Sequence, residues 1–291
     1  MPVFGQDLSC SLSHRAAILG PGLIGGSLAM ALRRSDHPWA VSLWTRRQES
    51  VAAVGAAVLG CRVTTDMASA IEGAGIVVLC TPPRAIEESA ELLAKLLPPD
   101  VFVTDAASVK ARIVSKLGSV LGGRFVGAHP MAGSEQSGIA SARADLFDGA
   151  LCILTPTEHS DPAALDAVRT LWKSAGCRLH EMSPSAHDAA VARVSHLPHA
   201  AAAALVHAAL AQDPTASALA GTGYRDSTRV AFGPEDLWAD IFLANRDNVA
   251  SGISDLRDRL GELGDAITRG DRSSVESFLR TARILRGGED R

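Results

Sequence analysis

The chain of 291 residues has no basic cluster. Its 28 Lys and Arg are scattered among 32 Asp and Glu, for a formal net charge of −4. A nucleic-acid binder needs a basic face to displace counterions from phosphates, so that class of function is set aside. No apolar run reaches the roughly 18 residues of a membrane span. The first residues also lack the basic, apolar and small-residue succession of a secretory leader. The expected location is the cytoplasm, with no membrane partner. Cys10, Cys61, Cys80, Cys152 and Cys177 are too widely spaced for a zinc or redox pair. They read as small apolar residues in a reducing compartment.

What remains is an ordinary folded composition, 47% hydrophobic and 21% charged, long enough for two domains. From Arg15 to Met182, β-branched runs alternate with helix-length stretches. "AAILG" (16–20), "AVSLW" (40–44), "GIVVLC" (75–80), "VFVTD" (101–105), "RFVGA" (124–128) and "GALCILT" (149–155) are strand candidates. Helices fall between them, as at 25–34 and 85–97. This alternation predicts a mostly parallel sheet covered on both faces. After Met182 the strand signals stop and alanine-rich helical patterns take over, with further helices expected over 237–248, 252–269 and 273–285. The expected architecture is an α/β Rossmann-type domain over residues 1–183, followed by an all-α domain over 184–291. The long helix after Arg193 is apolar on most sides and must be buried. A helical domain of this size can barely bury it alone, which predicts a homodimer formed through that domain.

"GPGLIGGS" (20–27) sets Gly20, Gly22 and Gly25 at the G-x-G-x-x-G spacing, after a strand and at the opening of a helix. Glycine at this turn admits a pyrophosphate to the helix N-terminus, with Leu23 and Ile24 between the second and third glycines. Thr81 and Pro82, leaving the "GIVVLC" strand, join the expected cofactor contacts. At the end of the second strand an acid would select NAD through the ribose 2′-hydroxyl. Here Thr45 takes that place and Arg46 and Arg47 follow. Guanidinium groups can grip a 2′-phosphate, so the expected cofactor is NADP, with NAD the alternative.

Ligands of open α/β sheets lie beyond the carboxyl ends of the strands. Three such ends carry loops rich in small and hydroxyl residues: "CTPPRAI" (80–86), "TDAASVK" (104–110) and "GAHPMAGSEQSG" (127–138). His129 precedes a proline, whose bias towards extended geometry predicts an imidazole projecting from the strand end. On that edge, beside a dinucleotide, it reads as an acid or base. A metal site built on His196 and His199 lacks a third ligand and is not expected.

Taken together, "GPGLIGGS", "DAASVK", "GAHPMAGSEQSG", "HDAAVARVSHLPH" and "GYRDSTRVA…LWADIFLANRDNV" resemble the prephenate and arogenate dehydrogenases, in order across residues 15 to 285. The resemblance implies NAD(P)-dependent oxidative decarboxylation of prephenate to 4-hydroxyphenylpyruvate, or of arogenate to tyrosine. It implies His129 as the base on the ring hydroxyl and Ser108 as the residue orienting it. Arg229 corresponds to the arginine that binds a substrate carboxylate, and His199 to a substrate-pocket histidine. Arg225 corresponds to a basic position near the substrate side chain, and Ser134 and Glu135 to the pocket wall. Glu135 and Asp226 are the acids that could distinguish an amino from a keto side chain. Ser134, Thr222 and Ser227 depart from the commoner family residues, the last two in the loop around 221–228. No stretch resembles the regulatory ACT domain or fused chorismate mutase of some relatives, so feedback by tyrosine is expected at the active site itself.

Two other readings compete. A different small-acid dehydrogenase of Rossmann type would commonly use a lysine in its helical domain, and residues 183–291 contain none. A non-catalytic NADP-binding redox regulator would have no need of His129, Ser108 and Arg229 together.

Overall fold

The structure, a computed structural model, describes residues 14–134 and 136–287. Cys10 and Glu135 therefore lie outside the described residues. The chain divides into two compact units. The first runs to Val191 and takes in Phe232–Asn245; the second comprises Ala192–Ala231 and the chain from Arg246 onwards.

In the first unit, β1 (Arg15–Leu19), α1 (Leu23–Arg34), β2 (Ala40–Trp44), α2 (Glu49–Ala57), β3 (Arg62–Thr64), α3 (Met67–Ile71) and β4 (Ile76–Leu79) form the first half. The second half continues with α4 (Pro83–Leu96), β5 (Phe102–Asp105), α5 (Ala111–Leu121), β6 (Phe125–Pro130), β7 (Leu151–Thr155), α6 (Pro162–Ser174), β8 (Arg178–Glu181) and α7 (Pro184–Val191). All six strands expected from the β-branched runs are present, within two residues at either end. The short strands β3 and β8 are additions. The sheet order is β3-β2-β1-β4-β5-β6-β7-β8. All neighbours are parallel except β6 and β7.

Alternation along β4 shows why the central strands are apolar throughout. Ile76 and Val78 face one core with α1 and α6, where Leu28, Leu32, Leu171 and Trp172 are buried. Val77 and Leu79 face the other core, with Ile86 and Leu93 of α4 and Ile113 and Leu117 of α5. A strand buried on both faces needs no polar alternation. Pro83 opens α4 at a position where its missing amide costs nothing.

The pairing of β6 corrects the expectation for His129. Only Phe125 and Val126 pair with β5; residues 127–130 then pair antiparallel with β7, setting His129 opposite Ile153. His129, the last residue but one of β6, therefore lies at the strand's carboxyl end as expected, but paired with β7 and 8% exposed instead of projecting freely.

The second unit begins with a π-helical turn, Ala192–His196, leading into α8 (Leu197–Leu210). Pro198 has no amide to return to the preceding turn, which accounts for the irregularity. A short α9 (Thr222–Thr228) follows. Helix α10 (Glu235–Ala244) belongs to the first unit, where Ile241 joins the α4 core. Returning to the second unit, α11 (Arg246–Thr268) and α12 (Arg272–Leu285) complete the chain. The break expected around 249–251 falls at Asn245. In α8 only His199 and Ala202 are buried, so the apolar helix is not covered by its own chain. Among the described residues, no helix is long and apolar enough to cross a membrane.

Candidate active site

Each fingerprint glycine answers a different constraint. Gly20 has φ +100°, and a Cβ there would lie 2.9 Å from the Cys80 carbonyl oxygen and 2.8 Å from Thr81 Cγ2. At Gly25 a Cβ would lie 2.4 Å from the Gly20 carbonyl oxygen, so the helix could not close on the strand. At Gly22 a Cβ would meet no atom of the protein within 4 Å. The demand for glycine there comes from whatever approaches the turn from outside. Gly22 caps α1 without a side-chain hydrogen bond, and the first turn, from Leu23 and Ile24 onward, carries no acid. The positive end of α1 is thus left for an external anion, and these residues fit a dinucleotide.

Thr45, just past β2, is buried, and its amide donates to Thr64 O at 3.1 Å. Arg46 and Arg47 are exposed, with Arg47 Nε 3.8 Å from Glu49. Thr81 is half-buried beside Gly20, and Pro82 caps α4.

A buried ion pair lies where β6 parts from β5. Lys110 and Asp105 are both fully buried and hydrogen-bonded to each other. Asp105 also accepts from the amides of Ala107 and Ala128, each at 3.0 Å, and Lys110 Nζ donates to Ala128 O at 3.0 Å. A Cβ on Gly127 would come within 3.3 Å of Lys110 Cδ and 2.5 Å of Thr155 Oγ1, so glycine makes room for the lysine. Burial draws the Lys110 ammonium below the usual lysine range, against the holding charges of Asp105 and Asp188.

His129 leads from there to α7. Its Nδ1 lies 2.8 Å from His187 Nε2, and His187 Nδ1 lies 2.8 Å from Asp188 Oδ1. Asp188 Oδ1 also accepts from the Lys110 amide at 2.7 Å, and Oδ2 from the Ala111 amide at 2.9 Å. Burial works to raise the Asp188 carboxyl, but the hydrogen bonds from His187, Ala111 and Lys110 outweigh it and hold it below the usual carboxylate range. His187 and Asp188 were not among the residues expected from the sequence, although both stand in "HDAAVARVSHLPH".

Ser108 is half-buried at a bend between Asp105 and Lys110, on the same sheet edge as His129. Ser134 is exposed, with its hydroxyl accepting from the Gln136 amide at 3.0 Å in a local turn. In the second unit His199 is buried, and burial lowers its pKa. Arg225 on α9 and Arg229 just after it are exposed and one helical turn apart. Among the described residues, no three His, Cys, Asp or Glu side chains are grouped to hold a metal ion.

A doubly wound sheet with this glycine turn, and a buried histidine at the same edge, defines a dinucleotide-dependent oxidoreductase. Residues 28–181 match the family described as prephenate dehydrogenase, nucleotide-binding domain, and residues 183–281 match prephenate dehydrogenase, dimerization domain. The chain belongs to the prephenate dehydrogenase family and is an NAD(P)-dependent enzyme. Prephenate dehydrogenase of Bacillus subtilis (strain 168) is 32% identical over 282 residues, 93% of this chain and 75% of that one. The crystal structure of prephenate dehydrogenase from Aquifex aeolicus with hydroxyphenyl propionate and NAD+ is 35% identical at a TM-score of 0.86, covering 96% of this chain and 98% of that one. Synechocystis arogenate dehydrogenase is 32% identical at a TM-score of 0.78, covering 94% and 98%.

The glycine geometry separates two variants. Gly25→Ala is expected to lower stability and NAD+ affinity together, because its Cβ strikes backbone. Gly22→Ala should keep the parent melting temperature yet bind NAD+ about tenfold more weakly, as read by calorimetric titration. Equal affinity in Gly22→Ala and the parent would show that no ligand passes that turn.

Proposed function

We propose that the chain converts prephenate to 4-hydroxyphenylpyruvate, or arogenate to tyrosine, with His129 as the base that takes the ring hydroxyl proton. The observation that carries this reading is the orientation of His129. The Asp188 carboxylate can only accept, so His187, when neutral, carries its proton on Nδ1. His187 Nε2 must then accept, which puts the His129 proton on Nδ1 and its lone pair on Nε2. A neutral imidazole held in that tautomer is a base poised for a hydroxyl. Ser108, on the same sheet edge, orients the hydroxyl. A bound nicotinamide supplies the hydride acceptor, and loss of carbon dioxide leaves an aromatic ring. Arg229 binds a substrate carboxylate through its planar fork, Arg225 serves the substrate side chain, and His199, Ser134 and Glu135 shape the pocket. Support comes from the Aquifex relative, crystallised with a hydroxyphenyl acid and NAD+. NADP is the preferred cofactor in this reading, because Thr45 replaces the selecting acid and Arg46 is exposed beside it.

The second unit associates with its counterpart in another copy. Its residues match a dimerization domain. Val194, Leu205, Leu260, Ile267, Leu279 and Leu285 are exposed in the single chain, and α12 buries no residue at all. Apolar surface on this scale marks an interface, and a two-fold pairing of the same surface is the commonest way to cover it.

Turnover with prephenate and with arogenate, each with NAD+ and NADP+, tests the reaction. His129→Ala should lower kcat by about 10²-fold or more while cofactor binding survives. Arg229→Ala should mainly raise KM. Replacing Arg46 should erase the preference for NADP+, and equal KM values for both cofactors in the parent would refute that preference. Sedimentation equilibrium should give twice the chain mass; a monomer mass at every concentration would refute the dimer.

A further inference from the structure

We propose that His187 and Asp188 are positioning residues for the base, forming a relay from His129 through His187 to the Asp188 carboxylate. The proposal rests on the reading of His129 as the base.

The hydrogen bonds allow one proton arrangement when both rings are neutral. Asp188 Oδ1 takes the Nδ1 proton of His187 at 2.8 Å, and His187 Nε2 takes the Nδ1 proton of His129 at 2.8 Å. Neither ring can flip or change tautomer without breaking a buried bond. An adjacent acceptor is what selects a histidine tautomer, and loss of such selection is costly in catalysis.

The surrounding charges favour accepting one proton. Asp105 and Lys110, from β5 and the loop after it, cancel each other. On β7, the Cys152 thiol takes a backbone hydrogen bond from His129 and is kept neutral, burial raising its pKa well above the ordinary thiol value. On α7, Asp188 adds a second buried carboxylate to Asp105, the one that Lys110 pairs with directly. When the substrate hydroxyl gives its proton to His129 Nε2, the imidazolium keeps its Nδ1–H on His187, and Asp188 stabilises the charge through that ring. The rigidity of Asp188 supports this role. Its two oxygens hold the first amides of α5, and its backbone carbonyl accepts from Asn245 Nδ2 at 2.8 Å.

The sign of the pH effect follows. The negative charge of Asp188 favours the protonated form of the base, while activity requires the neutral one. The acid limb of kcat therefore lies higher with Asp188 than without it.

The test uses the full chain with prephenate and its preferred cofactor, comparing four variants. His187→Leu is expected to lose about 10²-fold in kcat with cofactor affinity unchanged. His187→Gln keeps an acceptor for His129 Nδ1 and should recover most of that loss. Both His187→Gln and Asp188→Asn should move the acid limb to lower pH, by roughly one unit. If His187→Leu does not fold, the Gln and Asn variants still decide the question through the acid limb. A parental acid limb in both of these variants, or a Gln variant as inactive as Leu, overturns the relay. His129→Ala separates the two levels. If it remains inactive while the relay variants behave as the parent, the relay alone fails. If it retains turnover, the base assignment fails and the relay with it.

Discussion

The Asp105–Lys110 pair is the constraint on which this edge of the sheet depends. Two charges removed from water are stable only if every remaining donor and acceptor is used, and breaking such a pair costs about 3–5 kcal/mol. Here Asp105 accepts from the Ala107 and Ala128 amides and Lys110 donates to the Ala128 carbonyl. Both backbone groups of Ala128 are thus taken by the pair at the point where β6 stops pairing with β5. The side chains replace the missing ladder and allow β6 to turn from a parallel neighbour to an antiparallel one. His129 is the next residue, so its backbone is fixed by an ion pair that never touches its ring.

Asp188 uses the same logic from the other side. The N-terminus of α5 has no side-chain cap of its own. It takes its anion from α7, where the Asp188 carboxylate receives the Lys110 and Ala111 amides. Helix-end amides and their dipole stabilise a carboxylate, in keeping with the lowered pKa of Asp188. Lys110 therefore serves both networks, its ammonium bonded to Asp105 and its amide to Asp188. A residue that sequence alone presents as one lysine in a loop ties the strand carrying His129 to the helix carrying His187.

Local features of the chain reveal some of this and hide the rest. Gly20, Gly22 and Gly25 are legible because a strand, a turn and a helix follow within a dozen residues. The place of His129 in a small-residue stretch at the sheet edge is legible in the sequence, but its geometry is not. Whether residues 127–130 pair or project depends on β7, more than twenty residues away. Strands β3 and β8 are three and four residues long and bury no residue, too short for alternation to show. His187 and Asp188 are adjacent on a helix, where neighbours normally point apart. Nothing local indicates that Asp188 caps α5 while His187 reaches β6. The site residues carried over from the resemblance, Arg225, Arg229 and His199, have no comparable local signature, since an exposed arginine on a short helix is ordinarily a solvated one.

The closed hydrogen bonding of the first unit has a chemical consequence. The base, its relay and the glycine turn are all built from the first unit, where their hydrogen bonds close among buried groups. Such a network cannot drift without leaving a buried polar group unsatisfied, which costs more than the bond itself contributes. The proton and hydride chemistry is therefore the rigid part of this reading.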